Sequence, residues 1–222
     1  MYILMFFEVD ILIPTYNRKK FERLISHNIS IQTYPLIQNI IIADDSNDNL
    51  NLDVKYSVLN YKVERMSIGA KRNFLLSKST SRYAVFMDTD DFYNADYISH
   101  SIHTLLRSGK SITGTSDMLM NYQEQTYRLS CIFLHAINEA TLVIDTDNVN
   151  LIFDEQNSSE GLQPLKNHIG DIVQSDINKV MVCLCHEENT INKKIWLDTK
   201  YKTEFDMKEY SEHLKIISDI NI

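Results

Sequence analysis

Asp88, Thr89, Asp90 and Asp91 follow directly on the apolar run Tyr83-Ala84-Val85-Phe86-Met87. Such a run reads as a buried strand. Carboxylates packed this densely at its mouth are costly unless something positive sits beside them. Hard carboxylate oxygens suit Mg2+ or Mn2+, and Mg2+ is usually held by one or two carboxylates together with substrate phosphates. A divalent cation here would therefore bring a diphosphate with it. Taken alone, the same residues also fit a solvated acidic turn, because D-x-D triplets arise often by chance.

Other clusters carry complementary chemistry. Pro14-Thr15-Tyr16-Asn17-Arg18 offers an aromatic face, polar groups and a cation; it also fits a helix N-cap segment with a core tyrosine. Asp44 and Asp45 could accept hydrogen bonds from a base or a ribose, or simply form an Asx-turn. Arg72, beside Lys71 and shortly after Gly69, puts cations near a helix start, where a solvated helix face is the ordinary fate of such residues.

The elements that must position these clusters alternate. Val9–Ile13 reads as a strand ended by Pro14. Residues 18–31 read as a helix with Phe21, Leu24, Ile25 and Ile29 on one stripe. Ile40–Ala43 is a second strand, stopped by the turn cluster 44–49. Residues 56–59 form a third strand, and residues 67–79 a helix with Ala70, Phe74 and Leu75 inward. The strand at 83–87 follows, and then a helix over 95–107. Strands alternating with helices indicate an α/β fold with a mostly parallel, Rossmann-like sheet flanked by helices. Ligands of such sheets bind outside the carboxyl ends of the strands, so the clusters at 14–18, 44–49 and 88–91 should converge on one crevice.

Beyond Gly109 the pattern changes. Strands are expected at 111–114 and 127–133, paired around a connection at 118–124, with a further short strand at 140–144. Residues 145–160 are polar and irregular. A helix is expected over 162–173 despite Pro164 and Gly170, a strand over 179–185 and an amphipathic helix over 206–218. This half reads as an extension of the same sheet, so that residues 1–222 form a single domain.

Together these stretches resemble the family 2 glycosyltransferases of the GT-A fold. The resemblance rests on VDILIPTYNR, IIADDSND and IGAKRNFLLSKSTSRYAVFMDTDD, in that order and spacing, and covers about residues 8–115. It implies a nucleotide-diphosphate sugar donor, a glycan or glycoconjugate acceptor, and Mn2+ or Mg2+. By position, Pro14, Thr15, Tyr16 and Asn17 would contact the nucleotide. Asp45, with Asp44 nearby, would read the base, and Arg72 would hold the nucleotide. Asp88 and Thr89 would lie toward the ribose, with Asp90 or Asp91 as metal ligand. The family inverts at the anomeric carbon, so a carboxylate must take the proton of the attacking hydroxyl. The resemblance puts that base before a helix in the second half. Glu160 is the first choice, with Asp154 and Glu155 behind it, and Asp91 is counted with Glu160 among the catalytic acids. A late histidine that reaches the metal would be His186, which could equally be a surface residue.

Composition narrows the alternatives. The net charge of -8 argues against a general nucleic-acid or anionic-membrane binder. No run approaches the length of a transmembrane helix. The apolar N-terminus carries Glu8 and Asp10 and lacks a basic region, so it does not read as a signal peptide. Cys131, Cys183 and Cys185 make an odd count, which suits reduced thiols and a cytoplasmic setting. Cys183-x-Cys185-His186 is a weak zinc pattern without a second close pair. An Asp-nucleophile phosphatase would carry its D-x-D on the first strand. A nucleotidyltransferase would need a glycine-rich loop that residues 1–20 lack. A catalytically silent nucleotide-sugar-binding module remains the alternative that turnover would exclude.

Overall fold

The computed structural model describes residues 7–122, 125–187, 189 and 202–206. Among these, a seven-stranded sheet is built from β1 (Val9–Thr15), β2 (Ile37–Asp44), β3 (Ser57–Lys62), β4 (Tyr83–Phe86), β6 (Ile112–Gly114), β9 (Val143–Asp145) and β10 (Ile172–Gln174). Its order is β10-β6-β9-β4-β1-β2-β3, and only β9 runs antiparallel to its neighbours. The chain leaves β1 toward β2 and β3 on one side and returns to β4 on the other. That reversal opens a crevice at the carboxyl ends of β1 and β4.

Every residue of β1 is buried, as expected of a strand covered on both faces. Side-chain alternation sorts the core. Ile11, Ile13, Ile40 and Ile42 join Phe21, Leu24, Ile25 and Ile29, the stripe read from the sequence. Leu12, Ile41 and Ala43 join Leu75 on the opposite face. The first group covers α1 (Glu22–Ser30), which follows a 3-10 turn over Lys19–Phe21. The second covers α2 (Ile68–Lys78), whose start is capped by the Ser67 hydroxyl accepting from the Ala70 N–H. Helix α3 (Tyr97–Ser108) ends on Gly109 at φ 65, the left-handed cap that glycine adopts without strain.

Asp10 is an acid inside this buried strand, and its charge is fully served. Asn39 Nδ2 and Ser79 Oγ donate to it at 2.9 Å, and the N–H groups of Thr80 and Ser81 at 2.9 and 3.0 Å. Burial alone would raise its pKa. The backbone and side-chain donors outweigh burial and hold the carboxyl below its ordinary value. It thereby joins the end of α2 to the start of β4.

The second half departs from a simple extension. β6, β9 and β10 extend the first sheet. A separate five-stranded sheet, order β12-β8-β7-β11-β5, is formed by β5 (Phe92–Tyr93), β7 (Met118–Tyr122), β8 (Gln125–Leu129), β11 (Met181–Leu184) and β12 (Lys202–Phe205). Residues 118–122, expected as a connection, are a strand because β11 pairs with them in parallel, Val182 against Leu119. The expected helix over 162–173 stops early. Helix α4 is Leu162–Asn167, and beyond Gly170 the β-branched Ile172 and Val173 enter the sheet beside β6. The expected helix at 206–218 lies outside the described residues, apart from residue 206. No helix among the described residues is long and apolar enough to cross a membrane.

Candidate active site

A cleft of about 810 Å3 opens where the carboxyl ends of β1 and β4 meet the loops of the second half. It lies in the size range of small-molecule sites. Pro14, Thr15 and Tyr16 line one side, Asp88, Thr89, Asp90 and Asp91 the floor, and Arg72, Glu139 and Glu160 the far wall.

The acidic loop is held rigidly from below. Asn28 of α1, fully buried, donates to the Asp91 carbonyl at 2.8 Å and accepts from the Tyr93 N–H at 3.1 Å. The Tyr93 hydroxyl accepts from the Asp88 N–H at 2.7 Å and donates to the Ala140 carbonyl at 3.0 Å. Burial, then the nearby Asp88 charge, pushes the Tyr93 and Tyr97 phenols well above their usual range, so both stay protonated.

The acids of this loop have different surroundings. Asp88 faces Arg72 Nη2 at 3.3 Å. Asp90 Oδ2 meets His186 Nε2 at 3.0 Å across a sequence separation of 96, with Arg18 Nη2 at 3.6 Å. Asp91 is turned inward. It is 3 % exposed and its Oδ1 accepts from the Leu184 N–H of β11 at 3.0 Å. Asp91 was expected as metal ligand or catalytic acid, and its position is that of a brace between the acidic loop and β11. His186 is not a surface residue: its side chain is 2 % exposed and its ring packs on Phe21 at 5.1 Å. Asn189 fixes it, accepting from its N–H at 2.8 Å and meeting Nε2 at 2.9 Å.

Helix α2 contributes buried cations beside Leu75, which is inward as expected. Ala70 and Phe74 are only partly buried, whereas Lys71 and Arg72 are 3 % exposed. Lys71 Nζ donates to the Thr15 carbonyl at 2.8 Å and to Asp45 Oδ1 at 2.7 Å, tying together the ends of β1 and β2. Burial lowers the Lys71 pKa, and Asp45 only partly offsets it. Arg72 lies over the Phe86 ring, 5.1 Å from its centroid. Its Nε donates to Glu160 Oε1 at 2.8 Å, while Nη1 is buried with no partner in the protein. Burial disfavours this charge, but Asp88, Glu160 and Glu139 together raise the Arg72 pKa further, so it is a fixed cation.

Not every expected site residue reaches the cleft. Asp45 is adjacent, but burial of its carboxylate is answered by Lys71 and by Arg65 Nη1 at 3.1 Å, which keep its pKa low. Arg65 itself lines the cleft and lies 3.5 Å over the Tyr16 ring. Asn17 and Asp44 line a separate cavity of about 210 Å3. Asp44 Oδ1 accepts from the Ser46 N–H at 2.9 Å, an Asx-turn, and its Oδ2 pairs with Lys62 at 3.2 Å. Asn17 sits at φ 52 and donates to Ser46 Oγ. Asp154 and Glu155 are exposed and lie off the cleft wall. Cys183 is buried in β11 as a small apolar side chain.

Glu139 and Arg65 have no place among the sequence candidates, and Lys71 enters there only as a neighbour of Arg72. Lys71 gave a faint signal by standing next to Arg72 on a helix turn. Glu139 gave none, since its partners come from residues 72 and 160–161.

The residues present fit a divalent cation in one respect. Asp90 lines the cleft and the His186 imidazole stands 3.0 Å behind it, a mixed oxygen and nitrogen donor set that Mn2+ accepts. No cluster of three or more His, Cys, Asp or Glu side chains able to hold a metal occurs among the described residues. A diphosphate and water would therefore supply the remaining donors.

Known proteins share this architecture. The UDP-GlcNAc complex of Staphylococcus aureus TarS residues 1–349 superposes with TM-score 0.62 at 17% identity, covering 82% of this chain and 60% of that one. The mannosyltransferase PcManGT of Pyrobaculum calidifontis, in complex with GDP-Man and Mn2+, gives TM-score 0.62 at 13% identity over 84% and 59%. These likenesses establish the GT-A fold. In sequence, the chain is 23% identical over 151 residues to the glycosyltransferase GlyA of Streptococcus pneumoniae, covering 65% of this chain and 21% of that protein. It is 30% identical over 112 residues to the Escherichia coli UDP-Glc:alpha-D-GlcNAc-diphosphoundecaprenol beta-1,3-glucosyltransferase WfgD, covering 46% of this chain and 43% of that protein. The chain thus spans less than half the length of either relative. The glycosyl transferase family 2 model matches residues 10–142, well over half of the 222 residues, and the chain belongs to that family.

Proposed function

We propose that this protein is a metal-dependent, inverting glycosyltransferase. It moves a sugar from a nucleotide-diphosphate donor to a hydroxyl of a glycan or glycoconjugate. The observation that carries the reading is Asp90, which lines the cleft with the permanently charged Arg72 and is backed by the buried His186 at 3.0 Å. Relatives that bind UDP-GlcNAc, or GDP-Man with Mn2+, on the same fold support the donor class.

In this reading Tyr16 and the β1 end receive the nucleotide, and the diphosphate lies between Arg72 and Asp90, with His186 behind Asp90. Arg72 Nη1, buried and unpartnered, supplies a preorganised donor for a phosphate oxygen. A bound Mn2+ or Mg2+ would add positive charge beside the same leaving group. The acceptor hydroxyl attacks the anomeric carbon from the face opposite the diphosphate, the sugar–phosphate bond breaks, and its electron pair leaves with the diphosphate. Arg65 lies over Tyr16 and seals Asp45, so base recognition by Asp45 requires Arg65 to swing aside.

The test is calorimetry of UDP-glucose, UDP-GlcNAc and GDP-mannose with and without Mn2+, followed by release of UDP or GDP in the presence of acceptor sugars. Metal-dependent binding with turnover is expected. Binding without turnover for every donor and acceptor would favour a silent nucleotide-sugar-binding module, and no binding at all would sink both readings.

A further inference from the structure

The proton of the attacking hydroxyl needs an acceptor on the cleft wall, and the two carboxylates there are not equivalent. Glu160 is committed to Arg72. Its Oε1 takes the Nε–H at 2.8 Å, and the side chains are 5% and 3% exposed. Protonating Glu160 would take from a buried guanidinium the acid that holds its Nε–H, leaving Asp88 at 3.3 Å to answer the charge, which is a costly way to break such a pair.

Glu139 is placed differently. It stands on a 3-10 turn, Glu139–Thr141, that is capped by Asn138 Oδ1 accepting from the Ala140 N–H at 3.1 Å. The turn is anchored on both sides. The Ala140 carbonyl takes the Tyr93 hydroxyl, and Thr141 Oγ1 accepts from the Thr115 N–H at 3.0 Å. Tyr93 also binds the Asp88 N–H, so the turn and the acidic loop are fixed to one another. The Glu139 carboxylate reaches over residue 161, where Oε1 accepts from the Gly161 N–H at 3.0 Å. Only glycine leaves room for this. A β-carbon at 161 would sit 2.9 Å from Glu139 Cγ and 3.0 Å from Oε1. Residue 161 thus has no side chain of its own, and the Glu139 carboxylate fills that part of the cleft wall.

We infer that Glu139, not Glu160, is the general base: it accepts the proton as the acceptor oxygen bonds to the anomeric carbon and the diphosphate departs. This rests on the glycosyltransfer reading above. Glu160 is then a positioning residue that holds Arg72 toward the diphosphate. The electrostatics agree. Burial, then the Glu160 charge, pushes the Glu139 carboxyl up to about 7, despite the opposing pull of Arg72. A base titrating near the working pH is the most effective one.

The test combines a titration with kinetics. Carboxyl-carbon NMR of the chain labelled at Glu Cδ should show a group titrating near neutrality that disappears in Glu139→Gln. That variant keeps an oxygen for the Gly161 N–H, so its unfolding temperature should be no lower than that of wild type, and its Mn2+-dependent affinity for UDP-glucose, UDP-GlcNAc and GDP-mannose should stay close to wild type. Its turnover of whichever donor the wild type uses should fall by about 10²–10⁴, with loss of the acid limb of the pH–rate profile. Glu160→Gln should instead weaken donor affinity and leave that limb in place. A Glu139 carboxyl with an ordinary pKa overturns the assignment even if the variant fails to fold. Turnover by Glu139→Gln within threefold of an active wild type overturns the base assignment alone. A wild type inert toward every donor overturns the glycosyltransfer reading, and this one with it.

Discussion

Arg72 and Glu160 meet at 2.8 Å across 88 residues of sequence, the first on the second helix and the second just before the fourth. The loop can approach because Gly69 carries no side chain; a β-carbon there would collide with the Asp154 carbonyl. The pair therefore joins the second helix to the loop that precedes the fourth across the cleft wall. Replacing Glu160 with leucine takes the Nε partner from a buried cation that keeps Asp88 at 3.3 Å, and should cost about 3 kcal/mol in urea-induced unfolding, the low end for a broken buried pair. A cost below 1 kcal/mol would show that solvent or another acid serves Arg72 equally well. Arg72→Lys should be milder for stability but should weaken donor binding at least about tenfold, because an ammonium cannot present Nε to Glu160 and Nη1 to a phosphate together.

Asp90 and His186 lead to a statement about order of binding. Two protein donors hold a hard cation weakly, and phosphate oxygens complete the shell. Mn2+ affinity measured by calorimetry should therefore rise sharply when UDP or GDP is present. Asp90→Asn and His186→Ala should each lower that nucleotide-dependent affinity by about tenfold or more. EDTA should remove the thermal stabilisation that nucleotide gives to the wild type. Equal Mn2+ affinity with and without nucleotide would place the cation elsewhere.

Asp10 gives a stability prediction with a defined sign. Its folded pKa lies below the ordinary 3.8 because backbone and side-chain donors outweigh burial. A depressed acid contributes stability that is present above the unfolded pKa and is lost as pH falls through the folded one. Asp10→Asn cannot accept from Thr80, Ser81, Ser79 and Asn39 together, and should cost about 2–4 kcal/mol at pH 7. The gap to wild type should narrow below pH 4. A gap independent of pH between 3 and 7 would assign the loss to packing instead of charge.

The parts of the site that the sequence made legible are those built by local pattern. Val9–Ile13, Ile40–Ala43 and Tyr83–Met87 are apolar runs with turn clusters behind them, so strand ends and ligand-facing loops follow from periodicity and topology. Asp90 and Tyr16 sit where that logic places them. What was hidden depends on partners distant in the chain. The Asx-turn weighed for Asp44 and Asp45 forms at Asp44, through the nearby Ser46, whereas Asp45 faces Lys71 and Arg65, 26 and 20 residues on. Asp91 looks like a third ligand until the Leu184 N–H, 93 residues away, takes its oxygen. Residues 118–122 become a strand only because β11 supplies an edge. Helix patterning likewise predicts an apolar inner face for α2, whereas the buried Lys71 and Arg72 are stabilised by acids from three other segments.

Glu139 supplies a second, independent pH signature. Its folded pKa of about 7 stands above the ordinary 4.5 because burial and the Glu160 charge disfavour ionisation. The folded state therefore binds its proton more tightly than the unfolded state does. Stability falls as pH rises through the interval between those values, and is level on either side as far as this group is concerned. Glu139→Gln, neutral at every pH, escapes that loss. It should match wild type near pH 4 and become more stable than wild type by on the order of 2 kcal/mol near pH 8. Chemical denaturation at a series of pH values measures the difference directly. A variant less stable than wild type at pH 8 would mean that the ionised Glu139 is welcomed by the Gly161 N–H and Arg72. Its carboxyl would then titrate like any exposed acid.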